Sequence, residues 1–85
     1  MKKEDISLLR PKAVAATFDV CKVTPYLWVK KGLLTSPIKI GANTSAWPKH
    51  EINAIIAARL AGHGDDVIRA LVIRLMADRQ VVSEV

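Results

Sequence analysis

The ten residues from Ile38 to Trp47, IKIGANTSAW, restrict the possible folds of this 85-residue chain more than any other stretch. Ile38 and Ile40 alternate with Lys39 at the period of a strand, so the isoleucines should leave one face and the lysine the other. Gly41-Ala42-Asn43-Thr44 supplies a turn, with Gly and Asn able to take positive φ. Pro48 then ends pairing, because it has no N–H to give. The segments on both sides have helical period. Two short strands between helices must lean on those helices, and Trp47 on the returning strand is expected to close their core.

The flanking segments carry their own punctuation. Ile6 to Leu9 is expected to form a short first strand. Pro11 suits the first turn of a helix over PKAVAAT, with Ala13, Val14 and Ala16 or Thr17 for its inner face. Phe18-Asp19-Val20 reads as the exit, where Asp tolerates a left-handed conformation. Thr24 as N-cap, Pro25 as first residue and Gly32 as the terminating glycine frame a second helix over PYLWVKK. After Pro48, Ile52, Ile55, Ile56, Arg59 and Leu60 form an amphipathic stripe that stops at Gly62-His63-Gly64. Asp65 and Asp66 open a last helix whose stripe is Ile68, Leu71, Val72, Leu75 and Met76, with Asp65 and Arg69 spaced to pair. The expected fold is mainly α with a small β-hairpin. Residues 1–85 form one domain, with 1–5 a flexible tail and 64–80 an accessory C-terminal helix.

Composition narrows the function. Just over half the residues are hydrophobic, which suits a folded domain, and charges interrupt every apolar run before it could span a membrane. Met1-Lys2-Lys3 is followed by Glu4 and Asp5 and not by an apolar run, so no secretory leader is expected. Cys21 is the only cysteine, which suits a reducing cytoplasm, and it is expected to be a small buried apolar residue between the first two helices. His50 and His63 have no metal-ligand spacing with it or with each other. No nucleophile with a neighbouring base and no Gly-rich phosphate loop is visible, so neither an enzyme nor a cofactor is expected.

The net charge of +5 is unevenly placed. Residues 1–50 hold nine Lys or Arg against three acids, whereas residues 51–85 hold four Arg against five. The positive excess lies wholly in the half that contains the hairpin, which points to a polyanionic partner for that half.

Helix, turn, helix and hairpin, in that order, form the pattern of a winged helix, whose second helix can enter a DNA major groove. The residues carry a closer likeness. Lys22, Thr24, Tyr26, Trp28-Val29, Lys30-Lys31-Gly32, Pro37-Ile38-Lys39-Ile40-Gly41, Trp47 and Glu51-Ile52 stand in the order and spacing of the AlpA family of prophage and mobile-element regulators, which this chain resembles. The likeness runs without a gap from Lys22 to Ile56, and DDVIRALVIRL resembles the tail common in the family. It implies a MerR-like winged helix-turn-helix that binds double-stranded DNA at a promoter or an attachment site. It also implies work as a transcriptional regulator, as an excisionase (recombination directionality factor) assisting an integrase, or as both, with self-association on DNA a further possibility. The location implied is the bacterial cytoplasm, at the nucleoid when bound. The chain departs from the family at Val23 and Leu27, often Ser or Arg, at Asn43 and Ser45, often Arg, and at Pro25, usually aliphatic.

The candidate DNA-binding residues are Lys22, Thr24, Tyr26, Lys30, Lys31, Lys39 and the wing residues Asn43, Thr44 and Ser45. Lysines favour point-charge contact with phosphates over bidentate reading of guanine, which leaves Thr24, Tyr26 and Lys22 as base readers. Tyr26 and Trp28 lie about 200° apart on a helix, so if Trp28 is core, Tyr26 faces outward. The other reading of Tyr26 is that it packs against the wing. The rival function is a protein-interaction module working through the last helix, where Val67 and Ile73 lie off the core stripe.

Overall fold

A computed structural model describes residues 7–83. The expected tail over 1–5 and the first residue of the expected strand, Ile6, lie outside them. The elements run β1 (Leu8–Leu9), α1 (Pro11–Phe18), α2 (Thr24–Lys30), β2 (Ile38–Gly41), β3 (Thr44–Pro48), α3 (Lys49–Leu60) and α4 (Asp65–Ser83). The described residues are thus mainly helical, with a small antiparallel sheet in the order β1-β3-β2. No helix among them is long and apolar enough to cross a membrane.

The short helices end by the same device. In α2, the N–H of Leu33 donates to Trp28 O and that of Gly32 to Val29 O, the paired closure of a Schellman motif. Gly32 sits at φ 77°, which a side chain would resist, so the expected terminating glycine is where it belongs. Asp19 takes the same left-handed conformation after α1, as its short polar side chain allows. The start of α2 differs from expectation. Val23 occupies the cap position, Thr24 is already helical, and no side chain caps the first turn.

The hairpin is not alone, because β3 is the central strand. Leu8 and Leu9 pair with Pro48 and Trp47 on one side, while Ile38 and Lys39 pair with Ala46 and Ser45 on the other. Pro48 therefore closes the middle strand and not an edge. The register shifts between Lys39 and Gly41, leaving Ile40 as an extra residue on β2. That bulge breaks the expected alternation, and Ile40 lies half in solvent. Neither Gly41 nor Asn43 takes positive φ, so the bulge supplies the twist that a primed turn would otherwise give.

Val14, Leu33, Leu34, Trp47, Ile52, Ile55, Ile68, Val72 and Leu75 form one buried cluster. The inner face of α1 is Pro11, Val14 and Ala15, with Phe18 half-buried; Ala16 and Thr17 are exposed. On α3, Glu51, Ile52 and Ile55 are buried, but Leu60, expected to end the stripe, is the helix's last residue and is 83% exposed. The α4 stripe is as expected. Asp65 pairs with Arg59 at 3.2 Å and Arg69 reaches Asp66 at 3.7 Å, so the expected Asp65–Arg69 pair does not form. Cys21 is exposed in the inter-helix turn, not buried.

Within this core lies an ion pair. Glu51 is fully buried and accepts two hydrogen bonds from Arg79, at 2.8 Å from Nε and 2.7 Å from Nη2. Arg79 Nη2 also donates to Ser36 O at 2.7 Å. One guanidinium thus ties α4 to the first turn of α3 and to the loop before β2. Arg79→Ala would strand a carboxylate in the core and should cost about 3–5 kcal/mol in chemical denaturation. The double change Glu51→Met with Arg79→Met should recover most of that loss, because the core then holds no charge. Nearby, the Thr35 hydroxyl is buried without a partner. Thr35→Val should leave the unfolding midpoint unchanged or raise it, since a desolvated hydroxyl is removed at constant shape.

Candidate nucleic-acid interface

Trp47 carries the candidate surface on its back. Its ring is fully buried, and its indole N–H donates to Thr35 O at 2.6 Å. Tyr26 packs edge-on against it with ring centroids 5.5 Å apart, and Phe18 packs edge-on against Trp28 at 5.0 Å. Both aromatic contacts fix α2 against its neighbours. The two expectations for Tyr26 therefore meet in one geometry. The ring leans on the hairpin's central strand, yet 40% of the residue remains exposed, and the phenol makes no hydrogen bond to the described residues.

The exposed edge of Tyr26 borders an open groove of about 480 Å³ lined by Arg10, Pro11, Lys12, Lys22, Asn43 and Ser45. The groove joins the start of α1, the turn into α2 and the tip of the hairpin. Arg10 holds it together, since its Nε donates to Ser45 O at 3.1 Å while its other guanidinium nitrogens bond no described residue. Among the described residues, no carboxylate lines the groove. Asp19, the only acid among described residues before Lys49, lies at the opposite end of α1. Three cations around a polar concavity, with no counter-charge among the described residues, attract an anion, and the field is strongest where low-dielectric walls converge.

The outward face of α2 adds a second strip. Val23, Tyr26, Leu27 and Lys30 recur at i, i+3, i+4 and i+7 and are all exposed. A phenol and an ammonium flanked by two apolar side chains can bond phosphates or base edges and cover thymine methyl groups.

Of the residues singled out in the sequence, Lys22, Tyr26, Asn43 and Ser45 come together in the groove, and Lys30 follows Tyr26 along α2. Lys39 stands opposite Ser45 across the ladder, so both side chains leave the same face of the hairpin. Thr24 is half-buried and off the exposed face of α2. Thr44 packs over Gly41, within 3.4 Å of where a β-carbon there would sit, and does not line the groove. Lys31 lies on the flank of α2 nearer α4, where its backbone carbonyl accepts from Arg69 Nε at 2.9 Å.

Sequence reasoning passed over Arg10, Lys12, Val23 and Leu27. A basic residue on each side of Pro11 was the available signal for the first two, because a proline at a helix start places its neighbours at one end of that helix. Val23 and Leu27 stand out in the sequence only as departures from a family pattern.

No family model, no curated protein and no solved structure matches this chain.

The groove makes a stability prediction that separates the two roles of Tyr26. Tyr26→Phe should unfold at the parent's midpoint, since the lost hydroxyl has no partner among the described residues. Tyr26→Ala should lose about 1–3 kcal/mol, the worth of the edge contact on Trp47 plus the buried part of the ring. Urea denaturation followed by tryptophan fluorescence reads both.

Proposed function

We propose that this chain is a sequence-specific double-stranded DNA-binding protein of the winged helix-turn-helix type. In this reading α1 and α2 are the helix-turn-helix, α2 enters the major groove, and the β2–β3 hairpin is the wing. The observation that carries it is the basic groove between the two helices and the hairpin, which no carboxylate of the described residues lines and which is continuous with the exposed face of α2. Arg10, Lys12 and Lys22 would hold one stretch of backbone phosphates, and Lys30 and Lys39 would extend the track. Val23, Tyr26 and Leu27 would face the bases, with Asn43 and Ser45 at the wing tip.

The resemblance to AlpA-like proteins supports a regulator of a prophage or mobile element. Such a protein acts at promoters, at attachment sites with an integrase, or at both. An excisionase works by shaping DNA and carries no reaction centre of its own, so one binding surface serves either task. No cofactor is called for, and the working place would be the bacterial cytoplasm. The competing reading, an interaction module built on α4, accounts for exposed Val67 and Ile73 but leaves the basic groove without a purpose.

Fluorescence anisotropy on duplex DNA across a salt series tests the proposal. With four to six cations on phosphates, log K should fall against log salt with a slope of about −4 to −5. Arg10→Ala, Lys22→Ala and Lys39→Ala should each remove about one unit of slope and weaken all sequences alike. Tyr26→Phe and Leu27→Ala should instead reduce preference for the specific site, by about 1–3 kcal/mol if a base is read. A slope near zero would overturn the reading. Footprinting over the chain's own promoter and over a neighbouring attachment site would then separate regulator from excisionase.

A further inference from the structure

The outward face of α2 is defined by what it lacks. From Cys21 to Lys31 the chain reads CKVTPYLWVKK, with no Arg, Asn, Gln, Asp or Glu. At about 100° per residue, Val23, Tyr26, Leu27 and Lys30 fall within one sector of about 100°, while Pro25 and Trp28 lie opposite, against the fold. Val23 is 63% exposed and Leu27 51%. A lone exposed Val or Leu carries no information. Here the two stand one turn apart beside the Tyr26 phenol, between the cations of the groove and Lys30.

These side chains restrict which base edges α2 can read. Guanine is read by Arg or Lys, adenine by the amide of Asn or Gln, and cytosine by a carboxylate. On this face only Tyr26 and Lys30 form hydrogen bonds. A hydroxyl both donates and accepts, so it fits more than one base edge, and an ammonium on the last residue of α2 is a point charge suited to a phosphate. The distinctive major-groove group that remains is the C5 methyl of thymine, which apolar side chains contact. The β-carbons of residues one turn apart lie about 6 Å from each other, and successive bases step by about 3.4 Å. Val23 and Leu27 can therefore each cover a methyl on thymines one or two steps apart. Granted the DNA reading, on which this rests, we infer that α2 selects its site through the 5-methyl groups of thymine, held against Val23 and Leu27. The basic groove then supplies affinity, and the apolar pair distinguishes thymine from cytosine and from uracil.

The full chain is first used to select its preferred duplex from a random pool, and that site is rebuilt with deoxyuridine in place of thymine, one position at a time and then in pairs. Fluorescence anisotropy at one fixed salt compares the duplexes. Burying one methyl changes affinity about fourfold, so uracil at two contacted thymines should weaken the site about tenfold or more, while the salt slope stays that of the thymine site. Cytosine at a contacted position should also lose affinity, and 5-methylcytosine there should regain part of it. Val23→Ala and Leu27→Ala should each weaken the thymine site about fourfold and leave the matching uracil site unchanged, which couples each side chain to one methyl. A selected site that binds equally well with uracil, or variants that weaken both sites alike, overturns the methyl inference and leaves DNA binding standing. A salt slope near zero on every duplex overturns the DNA reading and this inference with it. The uracil comparison is made on the parent chain, so it decides the matter whatever the variants do to folding.

Discussion

Trp47 is the residue on which the rest of the molecule is arranged. Its backbone sits in the central strand and pairs with Leu9. Its indole N–H reaches across to Thr35 O, and its ring receives the edge of Tyr26. Three segments distant in sequence, namely β1, the loop after α2 and α2 itself, are therefore referred to a single side chain. A sheet this small buries too little surface to order itself in water. What orders it is an aromatic ring that fills the space under the helices and has a hydrogen bond of its own to satisfy. The consequence reaches the surface, since the ring that holds α2 in place also sets the depth of the groove that Tyr26 borders.

The Glu51–Arg79 pair performs a different task. A buried ion pair adds little net stability, because desolvating two charges offsets most of their attraction. Its effect here is directional. Apolar packing between α3 and α4 would tolerate a slide or a rotation, whereas a bidentate guanidinium bonded at the same time to Ser36 O accepts only one register. Glu51 also stands in the first turn of α3, where the amide dipoles favour a carboxylate. The outer face of α4 is consequently presented at a fixed angle to the groove that Tyr26 borders.

Where local chemistry decides the outcome, the sequence was legible. Pro11, Asp19 and Gly32 mark helix ends because each has a backbone property that its neighbours lack. The α4 stripe followed from its period alone. What could not be read was long-range. The pairing of β1 with β3, which turned a lone hairpin into a sheet, depends on contacts almost forty residues apart that no local pattern encodes. Local propensity also misled at Thr24, where a good capping residue sits one position too late, and at Ile40, where a bulge overrode alternation. The buried ion pair did leave a trace. Arg79 continues the Ile68–Val72–Leu75 stripe by one more turn, and Glu51 precedes Ile52 on the buried face of α3. A charge on each of two core stripes is a reason to look for a pair. The candidate site was half legible for the same reason. Lys22, Tyr26, Asn43 and Ser45 could be named from the helix-hairpin order, but Arg10 and Lys12 join them only because α1 returns its first turn to the hairpin tip.

The charge asymmetry of the chain acquires a spatial meaning from these constraints. In the first half, lysines and arginines stand almost without acids, and Arg10, Lys12 and Lys22 converge on one concavity. In the second half, cations and acids alternate and are mostly matched, Arg59 with Asp65, Arg69 with Asp66 and Arg79 with Glu51. Matched charge on α3 and α4 holds elements in register, while the cations around the groove have no such match among the described residues. A chain of 85 residues has room for one core, so a second working surface has to lie on the far side of an element that the core already holds. α4 meets that condition, because Ile68, Val72 and Leu75 anchor one side and leave the other free of the fold. Were the free side spent on solubility alone, Asp and Lys would suffice at every position. Val67, Ala70 and Ile73 stand there instead, so that side of α4 keeps an apolar strip in solvent.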